Sequence, residues 1–498
     1  MKKGGLFVGS KRCVAPVVTL CQLILLGFVL FFAGCSSAPD RMPPAAATTI
    51  SASVPVPSAR QDTVHSQEAP FGTLTVDRAV EEALRASPEL EQIKQRIDAS
   101  REQVKQAEAS FYPRLVLSQE FSATDNPVFA LMYLINQRRF TPDVDFNHPG
   151  REQNVASVVQ GEWVLFEGGS RLFERKAAVS RHRAMDAELQ AARNLLIARV
   201  TEVYYQWLQA LVFTGVAEQA LDAASTDESL GEARMKVEMA LPSELLRLKA
   251  RTAEARGNLV AAKTNARRLQ AALERLIARQ VRHSEIPQPV LEEWPSLQED
   301  ASRDSGLLVK QALDRRPEMA AVRALIEASR NRVRSAQGGL LPRVGTTARY
   351  QWDSEDLGDA AESWLVGLQA TWPLFEGGMT VSRIREAKAH LLEMEARGEQ
   401  VALDIALEVH QAVLAVQEAA EKVKVAGERR KWARQALEET RHVYRNQAAT
   451  VDSLLNAELS WNQAEVAFAG ALFEGKTAQA VLRKSLGDFT EWMEARRE

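Results

Sequence analysis

The sequence predicts a mainly α-helical protein with a small β-sheet portion, organised as two tandem copies of a helix-strand-strand-helix-helix unit. Helix-forming residues dominate the composition, and only 6% of the residues are aromatic. The segment Trp-x-Leu-Phe-Glu-Gly-Gly occurs twice, beginning at Trp163 and Trp372. A pair of prolines with the same spacing also occurs twice, since 113 − 88 = 342 − 317 = 25. Two patterns that recur in the same order indicate duplication of a whole structural unit.

Residues 1–34 have the pattern of a bacterial export signal. Basic residues precede an apolar stretch from Val14 to Phe32, and small residues then lead to Cys35. The segment Phe32–Ser36 resembles a lipoprotein lipobox, which implies cleavage before Cys35, lipidation of its thiol and sorting to the outer membrane. An uncleaved membrane anchor is the alternative. Residues 35–72 are rich in Ser, Ala, Pro and Thr and are expected to form a flexible tether.

Charge, cysteine usage and hydropathy exclude several classes of protein. The formal net charge is -3, so no basic excess is available to neutralise nucleic-acid phosphates. All three cysteines lie at positions 13, 21 and 35, so no disulfide framework is expected downstream. Beyond the N-terminal segment, no stretch approaches the roughly 20 apolar residues that a membrane-spanning helix needs. If the mature chain spans a membrane, it must do so with β-strands.

Helix-start signals divide the folded body into two units. Thr75 is a candidate helix cap near the start of the first unit. Ser87-Pro88 and Arg316-Pro317 each place proline in the first turn of a helix, where its missing N–H is tolerated. The predicted boundaries are, in order, a first unit at 73–283, a connector at 284–306, a second unit at 307–487 and a C-terminal tail at 488–498.

Alternating apolar and polar residues follow the second proline of each pair and predict β-strands. In the second unit, Val344 and Tyr350 share one face, opposite Arg343 and Arg349. One apolar and one polar face fit either an antiparallel sheet with water on one side or a membrane barrel with an aqueous lumen. A long loop at roughly 123–153 is predicted between the strands of the first unit, whereas the matching loop of the second unit is short.

Each strand region ends in a Gly-Gly element, where the chain is predicted to pass from extended to helical backbone. Glycine lacks a Cβ and can adopt the conformations that such a sharp change requires. Tryptophan at the end of a strand is typical of a boundary between apolar and polar surroundings. The residues assigned to this junction are Trp163, Gly168, Gly169, Trp372, Gly377 and Gly378.

A very long helix is predicted beyond each Gly-Gly element. From Thr380 to about Asn446 the chain contains no proline, and a helix of that length would extend about 100 Å. Two apolar stripes follow this stretch, one formed by Val401, Ile405, Val409, Val416 and Val423, the other by Leu403, Leu407 and Leu414. Two stripes predict that the helix packs against a neighbour on each side, as in a wall of helices.

Each long helix is then predicted to reverse direction at a turn. The turns are Ala240–Leu246 and Ala449–Leu455, and they have the same separation as the tryptophans, since 454 − 245 = 372 − 163 = 209. The residues singled out in these turns are Pro242, Ser243, Glu244, Thr450, Val451 and Asp452. Ordinary turn chemistry is the competing interpretation for each of them.

The order, duplication and spacing of these elements resemble those of the TolC-like outer-membrane efflux protein family over about residues 73–487. The segment Leu74–Leu90 is similar to the opening helices of that family. The resemblance implies a homotrimer in which each chain adds four strands to a twelve-stranded membrane β-barrel and its helices to a periplasmic α-helical tube. Four strands cannot close a barrel alone, so physics independently requires oligomerisation or an open sheet edge.

The same resemblance implies a passive channel, lipid-anchored in the outer membrane of a Gram-negative bacterium. It would be the exit duct of a tripartite efflux or secretion system, with a periplasmic adaptor and an inner-membrane pump as partners. The hairpin turns would form its periplasmic entrance, its gate and the adaptor contact. Asp452 falls on the first acidic position of the family's entrance turn, and Leu455 falls on the second.

No catalytic or cofactor-binding pattern is evident in the sequence. The seven histidines lack metal-ligand spacing such as H-E-x-x-H, and the glycine pairs lack the lysine of a phosphate loop. An enzymatic role, a cofactor and a metal are therefore not expected. The alternative function is a lipid-anchored periplasmic coiled-coil scaffold or adaptor without channel activity. Such a protein has no need for alternating strands with tryptophan at their ends.

Overall fold

The computed structural model describes residues 72–239, 241–288, 300, 302–356, 358–446 and 448–487. The predicted signal peptide, Cys35, nearly all of the tether and the C-terminal tail lie outside the described residues, as do residues 289–299 of the connector. The part of the chain that is described consists of long helices and one four-stranded sheet.

Among the described residues, α-helices and strands follow the same order in the two halves, apart from one extra α-helix in the first, and a 3₁₀ helix at His283–Glu285 follows the first half. The first half comprises α1 (Val76–Ala86), α2 (Pro88–Ala109), β1 (Arg114–Thr124), α3 (Pro127–Asn136), β2 (Glu152–Glu167), α4 (Ser170–Lys236) and α5 (Pro242–Ile277). The second comprises α6 (Ser305–Arg315), α7 (Pro317–Gly338), β3 (Arg343–Ser354), β4 (Ala361–Thr371), α8 (Met379–Arg445) and α9 (Val451–Leu486). Corresponding helices have equal lengths of 11, 22, 67 and 36 residues.

The helix starts follow the sequence signals. The Thr75 hydroxyl accepts a hydrogen bond from the backbone N–H of Arg78, so Thr75 caps α1 as predicted. Ser87 caps α2 in the same way, by accepting from the N–H of Leu90. Pro88 and Pro317 occupy the first turns of α2 and α7, where a missing N–H costs no intrahelical hydrogen bond.

The two halves differ in length between their strands. Corresponding elements are offset by 317 − 88 = 229 residues before the strands and by 379 − 170 = 209 after them, so the first half carries 229 − 209 = 20 extra residues. The prediction of a plain loop at 123–153 was wrong in part, because this stretch contains α3. Asn126 caps α3 by accepting from the N–H of Val128, and an apolar run follows. These turn residues mark a helix start here rather than an uninterrupted loop.

The strands form one antiparallel sheet in the order β1-β2-β3-β4, with β1 and β4 at its open edges. Because paired residues share a face, the register separates two surfaces. One surface carries the exposed side chains of Leu115, Leu117, Phe121, Trp364, Val366 and Leu368. The opposite surface carries Arg114, Glu120, Glu162, Arg349 and Gln369. Among the described helices, none combines the length and apolar character needed to cross a membrane.

The long helices α4 and α8 each extend about 100 Å. The helix α4 packs on α5 and α7, and α8 packs on α7 and α9. On α8, the stripe that includes Ile405, Val409 and Val416 is buried in an apolar core with Leu482 of α9. The second stripe, formed by Leu403, Leu407 and Leu414, is 57–71% exposed. Among the described residues, the predicted neighbour is therefore present for the first stripe only.

A second apolar core joins α1, α4 and α5. Trp207 is fully buried there, and the Tyr204 hydroxyl donates a 2.8 Å hydrogen bond to the carbonyl oxygen of Leu74. The pKa of Tyr204 is raised above its usual range, mainly because the side chain is buried. These contacts fix the opening segment against the long helix α4.

Candidate functional site

The two helical hairpins meet near their turns. The turn between α4 and α5 ends at Pro242, and the turn between α8 and α9 ends at Val451, so the predicted reversals lie at equivalent positions. A group of buried side chains, here called the hairpin-end cluster, consists of Leu248, Leu437, Tyr444, Val451 and Leu454. Because these residues come from α5, α8 and α9, the cluster packs one hairpin against the other.

The turn residues singled out from the sequence have different surroundings. Thr450 caps α9, because its hydroxyl accepts a 3.2 Å hydrogen bond from the N–H of Ser453. Pro242 and Ser243 are exposed in the first turn of α5, and Glu244 is partly buried there. Val451 is 4% exposed and belongs to the hairpin-end cluster, so it packs inside rather than facing solvent.

Asp452 is exposed and forms an ion pair across the two hairpins. Its carboxylate Oδ2 accepts a hydrogen bond of 2.5 Å from Nη1 of Arg247 on α5. The pair borders an open groove between α5 and α9 that is also lined by Arg251, Glu254 and Asn456. An ion pair this exposed contributes about 0–1 kcal/mol. Truncating a buried leucine costs about 2–5 kcal/mol, so the apolar cluster dominates hairpin pairing.

A buried carboxylate and a half-buried one, Glu458 and Asp227, face each other between the hairpins, and this pair had no signature in the sequence. Glu458 of α9 is 4% exposed and accepts a 2.8 Å hydrogen bond from Nη2 of Arg441 on α8. Facing it from α4, Asp227 has a buried Oδ2 without a hydrogen-bond partner. Burial, followed by the proximity of Glu458, raises the pKa of Asp227 to about 7, while Arg441 and Arg445 oppose the shift.

The aromatic ring of Tyr444 extends the contact between the hairpins to α4. The guanidinium carbon of Arg234 lies 4.5 Å from the centre of this ring, within cation–π range. Gly231 lies one helical turn earlier, and a Cβ built there would come within 2.5 Å of Cδ1 of Leu248. A glycine thus permits the close approach of α4 and α5 near their turn.

The junction residues connect the sheet to the helices in two equivalent ways. The indole N–H of Trp163 donates to the carbonyl oxygen of Phe111 at 2.9 Å, just after α2. The indole N–H of Trp372 donates to the carbonyl oxygen of Leu340 at 3.1 Å, just after α7. All four glycines of the Gly-Gly elements, Gly168, Gly169, Gly377 and Gly378, have positive φ, between 57° and 86°.

The surroundings of the two glycine pairs differ. A Cβ built on Gly168 would lie 2.1 Å from the carbonyl oxygen of Gly338, at the end of α7. A Cβ built on Gly377 or Gly378 would meet nothing within 4 Å in this chain. The residues that the structure describes contain no group of three or more His, Cys, Asp or Glu able to hold a metal ion.

Comparison with known proteins assigns this architecture to a family. The family model for outer membrane efflux proteins matches residues 79–279 and 308–488. Protein CyaE of Bordetella pertussis is 27% identical over 398 residues, which is 77% of each chain. The structure resembles the Campylobacter jejuni CmeC outer membrane channel, with a TM-score of 0.72, 17% identity and coverage of 91% of this chain and 95% of that one.

The outer-membrane channel OprN also superposes, with a TM-score of 0.71, 21% identity and coverage of 91% and 99%. Identities this low establish a shared fold, whereas the family match spans both halves of the chain. The protein therefore belongs to the outer membrane efflux protein family, in agreement with the resemblance seen in its sequence.

Proposed function

We propose that three copies of the chain form a lipid-anchored exit duct in the outer membrane, carrying substrates passively from a periplasmic adaptor and an inner-membrane pump to the exterior. The observation that carries this proposal is the open sheet. It has two unpaired edges, and the large apolar residues on one of its surfaces are exposed. Three such sheets joined edge to edge would give twelve strands, with lipid outside and the polar surface around water.

The exposed leucines of α8 support the same arrangement. Leu403, Leu407 and Leu414 form an apolar stripe that no other part of the described chain buries. In a trimer, the stripe would pack against a helix of the next copy and complete the wall of a tube. A scaffold without channel activity leaves both this stripe and the apolar sheet surface without a role.

Conductance and oligomeric state test the proposal together. Purified full-length protein is expected to run as a heat-modifiable trimer on gels and to conduct ions in planar bilayers. A monomeric protein without ion conductance would refute the proposed channel function. Recovery in the outer-membrane fraction, with Cys35→Ser reducing lipid labelling but retaining trimers, is expected if the N-terminal segment is only an anchor.

The hairpin ends would act as the periplasmic gate and the adaptor contact. The buried cluster would hold the hairpins together, and the exposed Arg247–Asp452 pair would set the position of the entrance carboxylate. Pro242, Ser243, Glu244 and Thr450 would shape the turns that the adaptor meets. The glycine and tryptophan junctions would let each strand of the barrel continue as a helix of the tube.

Asp452→Ala is expected to lower the cation preference of the pore, because it removes the carboxylate proposed to line the entrance. Arg247→Ala is expected to raise the cation preference, because it frees that carboxylate from its ion pair. Lys249→Ala is the matched control, since its exposed ion pair with Glu232 lies within one hairpin. Unchanged ion selectivity in both variants would show that Asp452 does not line the gate.

A further inference from the structure

The helix α3 presents an apolar face that no other described residue covers. Val128, Phe129, Met132 and Ile135 lie on this face, with exposures of 44–71%. The opposite face of α3 is packed, because Ala130 and Leu134 are at most 5% exposed. Four large apolar side chains exposed on a helix of ten residues need a partner surface.

The contacts of α3 place it on the polar side of the sheet. The Gln137 side-chain amide, at the end of α3, donates to Oδ1 of Asn154 at 2.9 Å. Asn154 in turn donates to Oδ1 of Asp353 at 2.8 Å, and all three residues are buried. The cross-strand register puts Asn154 and Asp353 on the surface that carries Glu120 and Glu162.

Further contacts fasten the C-terminal end of α3 to the same end of the sheet. Arg139 forms ion pairs with Glu152, at the start of β2, and with Glu355, just after β3. Nη2 of Arg138 donates to the carbonyl oxygen of Glu362 at the start of β4. Ala156 and Val158 of β2 are buried on the polar surface, and α3 packs on β2. The helix is therefore held by β2, β3 and β4.

This placement excludes membrane lipid as the partner of the apolar face. Lipid would meet the other surface of the sheet, where Leu117, Trp364 and Leu368 are exposed. The helix lies at the end of the sheet remote from the Gly-Gly junctions, because it connects the far ends of β1 and β2. In the proposed trimer, this position is at the rim of the outer mouth, on the lumen side of the barrel.

The dimensions of a trimer bring three such helices together. Twelve strands about 4.8 Å apart and tilted by about 40° enclose a barrel about 24 Å across. This diameter is measured between opposite backbones, and the inward side chains of the wall narrow the lumen further. Three helices, each about 10 Å across, need a circle about 22 Å across. Helices that project from the wall at the rim of the mouth therefore have no room to stay apart and meet at the axis, where each apolar face contacts the other two.

We propose that the exposed face of α3 binds the same face of two other copies of the chain and forms an apolar constriction at the outer mouth of the channel. This inference rests on the proposed trimer. A hydrophobic constriction hinders ions and water by dewetting until its walls separate. The duct would thus have an outer barrier besides the gate at the hairpin ends.

Cysteine crosslinking in the trimer tests the arrangement. The native cysteines are at 13, 21 and 35, so the folded body offers a background without thiols. Ile135→Cys is expected to give crosslinked dimers and trimers with a short bis-maleimide in outer membranes. Leu117→Cys, on the lipid-facing surface of the same sheet, is the matched control and is expected to remain uncrosslinked.

Conductance provides a second, independent measurement. The double variant Phe129→Ser and Ile135→Ser is expected to raise single-channel conductance at least about two-fold, because polar side chains hydrate the constriction. Leu117→Ser is expected to leave conductance unchanged. Intact trimers in which Ile135→Cys fails to crosslink, and is instead quenched by brominated lipid or labelled by a bulky external maleimide, would overturn the inference. Absence of wild-type trimers would overturn the proposed function itself and this inference with it.

Discussion

The two Gly-Gly elements share a left-handed backbone conformation but differ in how closely other residues approach them. Gly168 and Gly377 both have positive φ, which costs about 1–2 kcal/mol for a residue with a Cβ. Only Gly168 also lies against backbone, at the carbonyl oxygen of Gly338. The left-handed conformation is thus common to both copies, while the steric demand belongs to the first.

Gly168→Ala is therefore expected to destabilise the monomer fold more than Gly378→Ala. The Gly378 variant should cost about 1–2 kcal/mol for its backbone conformation alone, and the Gly168 variant should cost more because α7 must move. Thermal denaturation followed by circular dichroism compares them. Gly215→Ala, in open space inside α4, is the control and should stabilise slightly. Equal losses at 168 and 378 would contradict the steric account.

The carboxylate of Asp227 predicts a pH dependence of stability. Its pKa is about 7 in the folded chain and near 4 when unfolded, so folding favours the protonated form. Stability is therefore expected to fall as the pH rises from about 4 towards 7, and the loss persists above that range. Asp227→Asn should remove this component and raise the melting temperature most at pH 8.

Melting curves from pH 4 to pH 8 for wild type, Asp227→Asn and the exposed Asp222→Asn test the effect. Glu458, Arg441 and Arg445 are the charged groups identified as acting on Asp227 from α8 and α9, and they remain in all three proteins. If the difference in melting temperature between wild type and Asp227→Asn does not change with pH, the raised pKa of Asp227 is refuted.

At the scale of elements, the hairpins are joined chiefly by apolar packing. Leu454→Ala, at a position 1% exposed, is expected to cost about 2–5 kcal/mol and to loosen the contact between α5, α8 and α9. We expect a lower melting temperature and more frequent channel opening in planar bilayers. Leu246→Ala, on the exposed side of α5, should change stability by no more than about 0.5 kcal/mol. A Leu454 variant with wild-type opening would show that the cluster does not restrain the gate.

At the scale of the whole molecule, the second stripe of α8 predicts how the copies associate. Leu407→Glu places a charge in the proposed contact between protomers, and burying an unpaired charge is strongly unfavourable. The variant is expected to be monomeric by light scattering in detergent. Leu307→Glu, at another exposed leucine near the start of α6, is the control and should stay trimeric. A trimeric Leu407 variant would place the interface elsewhere on the helices.

Local signals in the sequence were sufficient for the elements that depend on neighbours along the chain. Proline in a first turn, Thr75 as a cap and an unbroken run without proline predict α1, α2 and α8 because helix start, cap and length are local properties. The spacing of 209 residues likewise located the second hairpin from the first. The extra helix α3 was missed, because an apolar run of ten residues is short for a helix and lay among turn residues.

By itself, the sequence determined the duplicated order of helices and strands, the two surfaces of the sheet and the family. Only the tertiary structure decided which distant groups meet. Asp227 and Glu458 are 231 residues apart (458 − 227), and Arg247 and Asp452 are 205 apart. Such pairs depend on how one hairpin packs against the other, and no local pattern encodes that packing. The same holds for α3, whose position on the polar side of the sheet follows from contacts with three strands.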